Sequence, residues 1–86
     1  MILGHEDSHG NRWVFRIDGT ADDVAKIAHD LKRKAARVRR FETLRRPRAL
    51  SVALLYEAVT LADLYEEHGA TLDDWDAAPR SERFLL

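Results

Sequence analysis

The 86-residue chain contains no cysteine, which excludes disulfides, thiolate zinc sites, iron–sulfur clusters and cysteine nucleophiles. No uninterrupted apolar run approaches the length of a membrane span. The stretch Met1–Asp7 lacks the basic start and apolar centre of a secretion signal, so a cytoplasmic protein with no membrane partner is expected. A phosphate-binding glycine loop and a dinucleotide fingerprint are missing, and Ser8, Ser51 and Ser81 have no nucleophile-elbow context. Proline occurs only at Pro47 and Pro79, where it punctuates the chain. Lys and Arg are absent from Ala49 to Pro79.

What is present is 45% hydrophobic and 34% charged residues, the proportions of one soluble globular domain covering 1–86. So short a chain buries a small share of its surface, and a second copy would help to stabilise its thin core. A homo-oligomer is therefore expected.

The pattern predicts a mainly α, small α+β fold: a β-hairpin over 1–19, an antiparallel helical hairpin over 20–69, and a short helix with an apolar tail over 70–86. Trp13, Phe15 and Ile17 alternate with Val14, Arg16 and Asp18, as on a strand with one apolar face. Gly10-Asn11 supplies the turn. Two strands alone are marginal in water, so that face needs a cover. Thr20 with Asp23 marks a helix start, and Val24, Ile27, Ala28, Leu31, Ala35 and Val38 form one buried stripe. Phe41 and Leu44 fall off the stripe, which leaves two readings: the helix ends or bends near Arg40, or these side chains pack around the next turn. Pro47 suits the first turn of a second helix, about Arg48 to His68, with Gly69 as its left-handed stop.

That second helix is apolar over about half its circumference, where one neighbour needs about 100°. Leu50, Leu54, Ala58, Leu61 and Tyr65 form one stripe, and Val52, Leu55, Val59 and Ala62 form another. One helical partner does not cover both. Val52, Leu55, Tyr56 and Val59 are the candidate assembly and partner-binding residues. Thr71 and Asp74 cap a short third helix that Pro79 ends. Phe84, Leu85 and Leu86 would be an exposed apolar tail if free, so they are expected to dock on the second helix or on a partner. Phe84 and Leu85 join the candidate contact set.

The net charge of −1 hides segregation. Lys32 to Arg48 holds nine basic residues and one acid, while Ala49 to Pro79 holds seven acids. An antiparallel hairpin then has a positive tip and a negative base. The basic patch is Lys26, Arg33, Arg37 and Arg40 opposite the first helix's apolar stripe, with Arg45, Arg46 and Arg48 at the turn. It suits a solvated face, an acidic protein surface, or nucleic acid as the alternative partner. A sequence pI near 6.4 and the lack of interleaved aromatics weigh against nucleic acid.

His5-Glu6-Asp7-Ser8-His9 has the letters of the zinc-protease motif H-E-x-x-H, but that chemistry needs a helix to bring both histidines to one face. Here the letters fall in a polar hairpin turn. His29 and His68 are expected on helix surfaces, and the acid pairs Asp22-Asp23 and Asp73-Asp74 open helices. No nucleophile, base and stabiliser gather, so no catalytic residue, metal or cofactor is assigned. The sequence reads as a non-enzymatic interaction or regulatory module. It would self-associate through its second helix and bind a protein partner.

Overall fold

Thr20 accepts the backbone N–H of Asp23, and the Asp23 carboxylate in turn accepts the N–H of Thr20. This capping box launches the longest element of the computed structural model, which describes residues 1–86 in full. The strands are β1 (Ile2–Glu6), β2 (Arg12–Arg16), β3 (Gly69–Ala70) and β4 (Arg83–Leu85), and the helices are α1 (Ala21–Thr43), α2 (Pro47–His68) and α3 (Leu72–Ala77). A single 3₁₀ turn, Arg80–Glu82, precedes β4. The expected hairpin, helical hairpin and short helix are all present, and the fold is 63% helical.

The sheet is larger than a hairpin. Its order is β3-β2-β1-β4, with β1 antiparallel to β2, β3 antiparallel to β2, and β4 parallel to β1. Alternation along the strands sends Leu3, Phe15 and Ile17 to one face, where they join Val24, Ala28 and Leu31 of α1 and Leu61 of α2. Ile2, Val14 and Ala70 point to the other face and meet Trp75 and Ala78 at α3. The layers are thus a helix pair, a sheet and one short helix. Gly4 lets the last layer approach: a Cβ there would lie 2.9 Å from the Trp75 ring.

α1 runs to Thr43, which settles its open end: Phe41 is half-buried and Leu44, half-exposed, is the C-cap. The Arg46 N–H donates to the Phe41 carbonyl and the Arg45 N–H to that of Glu42, with Arg45 in the left-handed region at φ 51°. That is a Schellman turn with arginine where glycine is favoured. Pro47 then opens α2. Gly69, expected to be a left-handed stop, instead has φ −56° and ψ 136° and passes directly into β3. The extended backbone is needed there because Val14 and Phe15 of β2 pair with Ala70 and Gly69.

The molecule measures 41 × 24 × 21 Å. Its sheet packs against the first half of α1 and the last half of α2. Val38 and Ala53 are buried, but beyond them the helical tip projects without a sheet beneath it.

Candidate interaction surface

The inner face of α2 is rotated from the one its apolar pattern suggests. Its buried residues are Ala53, Glu57 and Leu61, whereas Leu50 and Leu54 are half-buried, Tyr65 is half-exposed and Ala58 is exposed. A glutamate occupies the centre because its acceptors are satisfied. Glu57, 3% exposed, accepts the Ser8 N–H at 2.9 Å and the Ser8 hydroxyl at 2.8 Å. The turn between β1 and β2 thereby closes onto the middle of α2. Asp7 shapes that turn by accepting the N–H groups of His9 and Asn11 and the Trp13 indole N–H. Tyr65 closes the opposite end, edge-on to Trp13 and Phe15 at centroid distances of 5.7 and 6.4 Å.

With Glu57 turned inward, the opposite side of the helix faces outward. Val52, Leu55, Tyr56 and Val59 are all at least half exposed, at 53%, 63%, 63% and 50%. They lie on one surface, as the sequence pattern required. Phe84 and Leu85 do not join it. The tail does not lie along the outer face of α2: β4 pairs with β1 at the sheet edge remote from β3, Leu86 donates its N–H to the Gly4 carbonyl, and its half-buried side chain packs against the core shared by the sheet, α1 and α2. The reason is that β1 has an unpaired edge whose carbonyls and N–H groups a short strand satisfies. Arg83 fastens the tail by donating to the carbonyls of Ala78 and Asp76 while its guanidinium lies 5.6 Å from the Trp75 ring centroid. Phe84 and Leu85 remain exposed, Leu85 by 76%.

Between the helices, on the side away from the sheet, runs a groove of about 410 Å³. Phe41, Ala49, Val52 and Tyr56 give it apolar walls, and Lys34, Arg37 and Arg40 give it a basic rim. Lys34 reaches across the helix pair to the Thr60 hydroxyl and also pairs with Asp30. Lys26, Arg33, Arg37 and Arg40 are exposed along α1, and Arg45, Arg46 and Arg48 are exposed at the turn. Of these seven only Arg33 has an ion-pair partner, Asp30 at 3.0 Å.

The H-E-x-x-H letters are pulled apart by the fold. His5 sits on β1 and is buried, His9 is exposed in the turn, and no group of three or more His, Asp or Glu gathers at metal-holding distance. Both His5 ring nitrogens lack a hydrogen-bond partner. Burial holds the His5 pKa below its usual 6.5, against the opposing pull of Glu57, Asp7 and Glu6. Sequence reasoning missed this polar cluster, because Ser8 and Glu57 lie far apart in the chain and no local pattern links them. Comparison with family models, curated proteins and solved structures finds no match to this chain.

Proposed function

We propose that this protein is a small non-enzymatic interaction module that works in the cytoplasm, self-associates through α2 and presents its basic end to an acidic protein partner. The observation that carries the reading is the exposed apolar surface of Val52, Leu55, Tyr56 and Val59 on a helix whose inner face is already filled. A continuous apolar patch on a small soluble domain marks an interaction site more often than an ornament of the surface. The adjoining groove shares Val52 and Tyr56 with that patch, so it is the cationic rim of Lys34, Arg37 and Arg40 that supports contact with an acidic partner. No helix of the chain is long and apolar enough to cross a membrane.

The test is light scattering on the purified protein and on Val59→Glu. A charge at position 59 is expected to convert the wild-type oligomer to monomer without unfolding it, because Val59 contributes nothing to the core. An unchanged mass in Val59→Glu would show that α2 is not the assembly surface.

One observation favours nucleic acid as a second reading. Arg37, Arg40, Arg45, Arg46 and Arg48 have no ion-pair partner in the chain and are free to meet phosphates.

A further inference from the structure

The exposed face of α2 has an order that its apolar content alone does not require. Opposite the buried Glu57, Arg48, Val52, Leu55, Val59, Ala62 and Glu66 follow one another in alternating steps of four and three. That is the spacing of a seam between two packed helices. All six are exposed, and neither Arg48 nor Glu66 forms an ion pair within the chain. The seam is also symmetric about the level of residue 57. Turning a second copy end for end sets Leu55 against Val59, Val52 against Ala62 and Arg48 against Glu66, each pair occurring twice.

We infer that two copies associate through an antiparallel, two-fold α2 pairing in this register. The inference rests on the self-association proposed above and adds its geometry. Charge selects the direction. A parallel pair would place Arg48 beside Arg48 and Glu66 beside Glu66, with the helix dipoles aligned side by side. The antiparallel pair opposes unlike charges at both ends and unlike dipole ends as well. An interface of this kind is self-complementary, each copy supplying the same surface.

The absence of cysteine gives a clean test of register. Leu55→Cys and Val59→Cys chains, mixed and oxidised, are expected to form a cross-linked 55–59 pair. Leu55→Cys alone is expected not to cross-link, since antiparallel packing offsets its two copies by about 6 Å along the helix axis in addition to the interaxial spacing, beyond disulfide reach. Efficient linking of Leu55→Cys to itself would mean a parallel pair and overturn the inference. Sedimentation equilibrium supplies the charge arm. Arg48→Glu and Glu66→Arg are each expected to weaken the dimer about tenfold, and the double variant to recover it. Lack of recovery in a dimer that Val59→Glu still disrupts would remove this register but leave the assembly surface standing. A wild-type chain that stays monomeric would remove both.

Discussion

Glu57 is the residue on which the rest of α2 is oriented. A buried carboxylate is tolerated only when hydrogen bonds replace the water it loses, and Ser8 supplies two. Glu57→Ala removes both acceptors and leaves the Ser8 N–H unpaired beside a cavity, at an expected cost of about 2 to 3 kcal/mol. Glu57→Gln keeps one acceptor for the N–H, and the Ser8 hydroxyl is able to rotate and accept from the amide. Its expected cost is about 1 kcal/mol. Urea denaturation of the two variants checks the order; equal losses would mean that Ser8 contributes nothing. His5 nearby gives the protein a pH dependence. Its folded pKa lies below the usual 6.5 because burial disfavours the charged ring, with Arg39 adding to the shift and Glu57, Asp7 and Glu6 opposing it. As the pH falls through 6.5 the unfolded chain takes up a proton that the folded chain resists, so stability drops from there until the folded ring also titrates. His5→Leu is expected to flatten that fall between neutral and mildly acid pH, measured as the urea midpoint at each. A wild-type midpoint that rises on mild acidification would contradict the sign.

The elements that were legible in the sequence are those whose own residues specify them. α1 carries a stripe from Val24 to Val38 and a Thr20–Asp23 box, and α3 repeats the box with Thr71 and Asp74. β2 shows its alternation outright. β3 and β4, with two and three residues, are too short to have a period, and pairing partners elsewhere in the chain create them. The inner face of α2 was hidden for the same reason, because Glu57 is made compatible with burial by a turn at Ser8. Its outer face was legible, since exposure of Val52, Leu55, Tyr56 and Val59 follows from excess apolar width over what one neighbour covers. The α1–α2 turn holds a local conflict of its own. Arg45 adopts the left-handed conformation at C′, where a side chain is strained and glycine is not. Arg45→Gly is therefore expected to raise stability by about 0.5 to 1 kcal/mol, the strain relieved exceeding the added freedom of the unfolded chain. A thermal melt that falls instead would show that the Arg45 side chain contributes more than its backbone costs.

At the level of the whole molecule, net charge is nearly balanced while its two ends are opposite in sign. Such a molecule is neutralised either by another copy turned end for end or by a foreign polyanion at the basic end. The antiparallel seam engages Arg48 but no basic residue of α1, so Arg33, Arg37 and Arg40 test the outside partner separately from assembly. The triple variant Arg33→Ala/Arg37→Ala/Arg40→Ala is expected to keep the wild-type mass in light scattering. The same variant decides between protein and nucleic acid as the outside partner. With fluorescent duplex DNA and single-stranded RNA at low salt, the wild type is expected to give no anisotropy change, because the acidic half of the chain repels phosphate and no aromatic side chain is interleaved with the basic row to stack on bases. Binding that falls steeply with added salt, as counterion release requires, and vanishes in the triple variant would assign the basic end to nucleic acid instead.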